Sequence, residues 1–183
     1  MTDTAPAVGR RLHIIQGEQQ VSDDPHVILT TTLGSCVAAC IRDPVAGVGG
    51  MNHFLLPEGH GIVGQDAYRY GAYAMELLVN ALMSGGARRE RMEAKLFGGA
   101  KLADRLIDIG GLNVTFARRF LDQEGIRYGG GSVRGLHARR LQFWPVSGRI
   151  RQLSLTKGED AIFAAEARRS GATPDWGQVE LFG

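Results

Sequence analysis

The chain has 183 residues, 44% hydrophobic and 22% charged, with a formal net charge of +2. That length suits one domain with a real core. No apolar run approaches the roughly 18 residues of a membrane span, the N-terminus MTDTAPAVGRRLHIIQGE has no secretory pattern, and so small a net charge leaves no electrostatic footprint for nucleic acid. A cytoplasmic protein that neither enters a membrane nor binds nucleic acid is expected.

Glycine accounts for 26 residues, about twice the usual ~7%, which implies many tight turns and close backbone approaches. The basic residues are mostly arginines, clustered at Arg88, Arg89 and Arg91 and again at Arg134, Arg139 and Arg140. Solvated faces and ion pairs account for them more simply than a phosphate site does.

In chain order, HVILTTT (26–32) is a β-rich run, broken by Gly34-Ser35. CVAACIR (36–42) and VGGMNHFLL (48–56) are apolar runs joined by DPVAG, a hairpin signal in which Pro44 fixes φ and Gly47 tolerates a positive φ. PEGHGIVGQ reads as loop. From Asp66, AYRYGAYAMELLVNALMS has helical spacing, with Ala74, Leu78 and Leu82 on one stripe and Gly85-Gly86 as the stop. MEAKLFGGA (92–100) is a strand entering a glycine turn. KLADRLID is expected to form a short helix, and LNVTFARRFLDQE (112–124) a second amphipathic one ended by Gly125. IRYGGGSVRG looks irregular, and LQFWPVSGRIRQLSL is another hairpin, turning over Pro145 to Gly148. The expectation is one α+β domain over 1–157, with an extension of helix and tail over 158–183.

The chain holds two cysteines, Cys36 and Cys40, and on one strand they sit about 13 Å apart, too far to bridge. The five histidines are scattered without Cys-x-x-Cys or His-x-x-x-His spacing, so no metal is expected.

The hairpin supports a geometric argument about Cys36 and His53. Opposed residues in an antiparallel pair have a constant sum. A two-residue loop gives 89 and sets Cys36 against His53. A four-residue loop gives 91, setting His53 against Ala38 and diagonal to Cys36. In both registers the two side chains share one face, because side-chain direction has period two. A thiol near an imidazole can lose its proton and become a strong nucleophile towards acyl carbon. Such a pair needs a group to orient the ring, for which Thr30, Thr31 and Thr32 offer hydroxyls. It also needs donors for an oxyanion, for which N–H groups around Gly34, Ser35 and Cys36 are candidates. The plainer reading is a small buried thiol and a structural histidine.

Three stretches narrow the choice: LTTTLGSCVAACIRDPVAGVGGMNHFLLP, YRYGAYAMELLVNALMSGGARRERMEAKLFGGA and GLNVTFARRFLDQEGI. Together, and over roughly residues 10 to 157, they closely resemble the chemoreceptor glutamine deamidases, the CheD family of bacterial chemotaxis. T-x-L-G-S-C-V, the following D-P, H-x-x-L-P and A-K-x-F-G-G-A occur together and in order. The resemblance implies a layered α/β sandwich and a Cys–His–Thr triad of the papain-like, deamidating-toxin kind. It matches the nucleophile to Cys36, the histidine to His53 and the threonine six residues before the cysteine to Thr30. Strand alternation puts Thr30 and Thr32 on one face and does not choose between them.

The implied reaction is hydrolysis of receptor glutamine side chains to glutamate without a cofactor. Gly34 and Ser35 would shape the oxyanion site, and Gly98 and Gly99 either line the substrate groove or simply turn the chain. Methyl-accepting receptors are the implied partners, and some members of the family bind the phosphatase CheC. A receptor- or phosphatase-binding module with little turnover is the alternative. One departure from the family stands in GGGSVRGLHARR, where Arg134 replaces a glycine.

Overall fold

In the computed structural model, the described residues are 9–57, 65–102, 108–156 and 180–182. They form ten strands and two long helices: β1 (Arg10–His13), β2 (Gln19–Ser22), β3 (Val27–Leu33), β4 (Val37–Asp43), β5 (Val48–Asn52), α1 (Gln65–Ser84), β6 (Glu93–Gly98), α2 (Ile109–Gln123), β7 (Arg127–Val133), β8 (Arg139–Phe143), β9 (Ile150–Ser154) and β10 (Glu180–Phe182). A single 3₁₀ turn spans Arg89–Arg91. The strands make two five-stranded sheets, ordered β1-β3-β8-β9-β10 and β2-β5-β4-β6-β7.

Alternation along β4 explains the layering. Val37, Ala39 and Ile41 point to one side, where they pack with Met75, Leu78 and Leu82 of α1 and Val114, Ala117 and Phe120 of α2. Ala38 and Cys40 point to the other, where they meet Leu29 and Leu33 of β3 and Leu141 and Phe143 of β8. Both faces of the central strands β4 and β5 of the second sheet are therefore buried, and these two read as nearly continuous apolar runs. The order is sheet, sheet, helices. This is the α+β class expected, with two sheets and two helices.

The β4–β5 hairpin has the longer of the two loops considered. Cys40 pairs with Met51, and Asp43 with Val48, so opposed residues sum to 91 and residues 44–47 form the turn. The turn is organised by Asp43, whose carboxylate is fully buried. One oxygen accepts the N–H groups of Val45 and Ala46 at 2.9 and 3.0 Å. The other accepts the N–H of Arg88 at 2.9 Å and the guanidinium of Arg91 at 2.8 Å. Burial pushes the carboxyl towards its neutral form, but these donors outweigh it and hold the pKa at about 2. The group's stabilisation is present above its ordinary value near 3.8 and is lost as pH falls from there towards 2. Asp43→Ala strands three backbone donors and a cation. It is expected to cost about 3 kcal/mol in urea unfolding at pH 7, with a smaller deficit at pH 3; an equal loss at both pH values would refute this account.

Several expectations change. Strands β1 and β2 were not anticipated, being only four residues each and polar. Helix α2 begins three residues earlier than expected, capped by Asp108, which accepts the N–H of Gly111 at 2.9 Å. The buried stripe of α1 runs through Met75, Leu78, Val79 and Leu82, with Ala74 at its margin. The segment expected to be irregular is strand β7, parallel to β6, with a register shift between Ala94 and Leu96. Gly131 makes that bulge possible: its φ is +128°, and a Cβ there would lie 2.1 Å from the Leu96 carbonyl oxygen. Most of the PEGHGIVGQ loop, most of KLADRLID, and residues 158–179 and 183 of the extension lie outside the described residues; Glu180–Phe182 adds an antiparallel edge strand to β9. Both arginine clusters contribute to packing: Arg91 serves Asp43, Arg89 pairs with Glu124, and Arg139 donates to Ser132 and Arg134. Among the described residues no helix is long and apolar enough to cross a membrane.

Candidate active site

The chain crosses from one sheet to the other twice at the same end of the sandwich. Strands β1 and β3 are parallel neighbours in the first sheet, and each is followed by a strand of the second. The crossover after β3 is Gly34-Ser35-Cys36. The crossover after β1 is Ile14 to Glu18. His53 lies beside both, just past the end of β5.

The Cys36 segment is held through its carbonyls. The Gly34 carbonyl accepts Ala100 N–H at 2.9 Å, and the Cys36 carbonyl accepts Gly99 N–H at 2.7 Å. The Ser35 carbonyl accepts Asn113 Nδ2 at 2.9 Å, while Asn113 Oδ1 accepts Leu56 N–H at 2.8 Å. Asn113 thus ties the cysteine segment to the segment that follows His53. Sequence reasoning missed it, although a fully buried asparagine beside Val114, Phe116 and Ala117 on a helix is itself a signal.

Gly98 fits against this loop because it has no side chain: its φ is +102°, and a Cβ there would stand 2.1 Å from the Cys36 carbonyl oxygen. The Gly99 N–H is committed to the Cys36 carbonyl, so this pair forms the turn that seats Cys36. Gly34 leaves space that Leu102 fills. Arg134, where a glycine was expected, is the only non-glycine with positive φ among the described residues. Its N–H donates to the Gly98 carbonyl at 2.8 Å.

His53 is placed by backbone bonds on both sides. Its N–H donates to Glu18 O at 3.0 Å, and its carbonyl accepts Gly17 N–H at 2.8 Å. Next to it, Val37 and Phe54 exchange two hydrogen bonds of 2.9 Å, an isolated bridge that continues the hairpin's register. His53 therefore opposes Ala38 and lies diagonal to Cys36, on the inter-sheet face where Cys36, Ala38 and Cys40 cluster. Diagonal neighbours on one face stand about 7–8 Å apart at Cα, within reach for a long side chain.

The hydroxyl on the imidazole belongs to Thr31, at 2.9 Å from Nδ1. Thr30, to which the resemblance matched the triad, does not meet the ring. Along β3, Val27, Leu29, Thr31 and Leu33 face the second sheet, and Thr30 faces away, with its hydroxyl 3.3 Å from His13 Nδ1. Thr31 fixes the tautomer. Its O–H donates to Ile14 O at 2.7 Å, so its oxygen is left to accept from Nδ1–H. The proton then sits on Nδ1, and Nε2 carries the free lone pair. Nε2 is buried and has no hydrogen-bond partner among the described residues.

Burial dominates both titrations. It pushes the Cys36 thiol above its ordinary value, partly offset by the residue's own backbone N–H. It lowers the His53 imidazole, with Ile14 O opposing and His13 adding to the effect. The resting pair is a neutral thiol and a neutral imidazole. The thiol, partly buried, donates to Gln16 Oε1 at 3.5 Å. Cys40 is 3% exposed, and burial raises its pKa far above the ordinary value. Among the described residues no three His, Cys, Asp or Glu side chains converge on a metal position.

A relative from Caulobacter sp. is 55% identical over 98% of this chain and 96% of its own, and one from Acidiphilium cryptum is 57% identical over 97% and 96%. A third, from Caulobacter vibrioides, is 62% identical over 78% and 76%. Each carries the name "Probable chemoreceptor glutamine deamidase CheD". Among solved structures, a Neisseria meningitidis protein of family DUF152 aligns with 64% of this chain and 51% of its own, at 15% identity and a TM-score of 0.40. The family model described as CheD chemotactic sensory transduction matches residues 55–153. The chain belongs to the CheD family.

Proposed function

We propose that this protein hydrolyses glutamine side chains of chemoreceptors to glutamate, with Cys36 as nucleophile and His53 as base. The observation that carries the reading is the free, buried Nε2 lone pair of His53, fixed by the Thr31 hydroxyl on the face that also bears Cys36. The names of the relatives supply the substrate class.

The chemistry follows from that geometry. Nε2 takes the thiol proton as the sulfur adds to the carboxamide carbon. The Cys36 N–H, beside its own sulfur, is the nearest donor for the oxyanion. The imidazolium returns its proton to the departing nitrogen, ammonia leaves, and a thioester remains on Cys36. Neutral His53 then activates a water, whose addition releases glutamate and restores the thiol. Each turnover consumes one water and converts a neutral amide into a carboxylate. A CheC-type phosphatase is the partner that would act on this same surface.

A receptor cytoplasmic fragment incubated with the protein should release ammonia, and peptide mass spectrometry should find glutamate at specific former glutamines. His53→Ala should lower the rate by at least about a hundredfold, within the usual contribution of a general base. Full conversion by that variant would sink the proposed role of His53.

A further inference from the structure

The second crossover brings a glutamine of the protein's own to the nucleophile. Ile15 N–H donates to Glu18 Oε2 at 3.1 Å and Glu18 N–H to Ile15 O at 3.0 Å, closing a turn in which Gly17 has φ +90°. The two backbone bonds between this turn and His53, Gly17 N–H to His53 O and His53 N–H to Glu18 O, staple it to the base. At the tip, the exposed Gln16 side chain reaches Cys36 and accepts its S–H through Oε1 at 3.5 Å. The thiol is thus engaged by a primary carboxamide, while the lone pair that should take its proton has no hydrogen-bond partner among the described residues.

We propose that Gln16 is a tethered mimic of the substrate glutamine: it keeps the Cys36 thiol protonated and occupies the place where a substrate carboxamide must lie, so the side chain has to swing out before turnover. This rests on the reading of Cys36 as nucleophile. The functional group is the substrate's own, and the turn bonded to His53 keeps its local concentration high. Gln16 is held without being consumed because a sulfur donating to the carbonyl oxygen meets its lone pairs, whereas addition requires approach over the face of the carbon. Because the side chain is exposed, its departure uncovers no core.

Gln16→Ala and Gln16→Glu test this in the full-length chain. In the alanine variant the KM for a receptor fragment should fall about threefold, the factor for a cap in place about two-thirds of the time. The rate of Cys36 alkylation by iodoacetamide, itself a small carboxamide, should rise by about the same factor. In the glutamate variant the carboxylate disfavours the thiolate, and alkylation should be slower than in wild type. A higher KM for Gln16→Ala would mean the side chain binds substrate, and would overturn the proposal. So would an unchanged KM or alkylation rate, or conversion of Gln16 to glutamate in the wild type. Cys36→Ala run alongside keeps the two readings apart: loss of deamidation there upholds the nucleophile whatever Gln16 does, and retained deamidation refutes it.

Discussion

Cys36→Ala is expected to reduce glutamine deamidation by at least about a thousandfold, to the level of the unassisted carboxamide or of whatever the oxyanion donor alone provides. Once the sulfur is gone His53 Nε2 is left with water to activate, and water adds to an unactivated carboxamide far more slowly than a thiolate does. Cys36→Ser should be almost as inactive, since a hydroxyl is a far weaker nucleophile without strong activation. The second cysteine is the internal control. Cys40 lies four residues further along the same face, but it is 3% exposed and packed with Ala38 and Met51. Cys40→Ala should keep its turnover and lose about 1 kcal/mol of stability to the small cavity. Ammonia release and thermal unfolding of the three variants measure both effects. If Cys36→Ala retained more than about a tenth of the wild-type rate, the covalent route would be excluded.

The hairpin carrying the site was legible because its determinants are local. Asp-Pro at its start and Gly47 at its end mark the turn, and either loop length they allow, two residues or four, puts Cys36 and His53 on one face. Nothing more distant is needed. Which threonine meets the ring is a different kind of question, since Thr30, Thr31 and Thr32 are chemically identical and only the orientation of β3 against the second sheet separates them. A clue was present: Val27, Leu29 and Leu33 share parity with Thr31, whereas Ile28 alone of the apolar residues shares it with Thr30. Matching by position alone carried the triad to Thr30.

The other misses share a cause. Strand β7 is glycine-rich, and strand propensity reflects side-chain packing that glycines cannot show. Its pairing depends on Gly131 admitting the Leu96 carbonyl, a contact between residues 35 apart. Asn113 and Gln16 reach the site from 77 and 20 residues away from Cys36, and neither sits in a local pattern that announces a partner. The core strands and helices follow from the sequence, whereas the side chains that trim the site follow from how the layers stack.

The two threonines give the sharpest test of that stacking. Thr31→Val removes the nearer acceptor for Nδ1–H while keeping shape and burial and leaves only Ile14 O, at 3.4 Å, so the imidazole is held less firmly in its tautomer and loses a polar contact to its protonated form. Turnover should fall about thirtyfold, within the ~10²-fold range that misorienting a general base produces. The pH profile separates this from simple damage to the fold. His53 already titrates below its ordinary value near 6.5 because it is buried. Without the Thr31 oxygen its cation is stabilised still less, so the acid limb of kcat/KM should move to lower pH as the plateau drops. A merely destabilised variant would lower the plateau and leave the limb in place. Thr31→Ser should restore most of the rate, since it returns the hydroxyl between Ile14 O and Nδ1. Thr30→Val, on the outer face beside His13, should stay within about threefold of wild type, as expected for a group that does not touch the base. If the Thr30 variant were the one to collapse while Thr31→Val kept both rate and limb, the ring would be oriented from the other face of β3, and the tautomer assigned to His53 would be wrong.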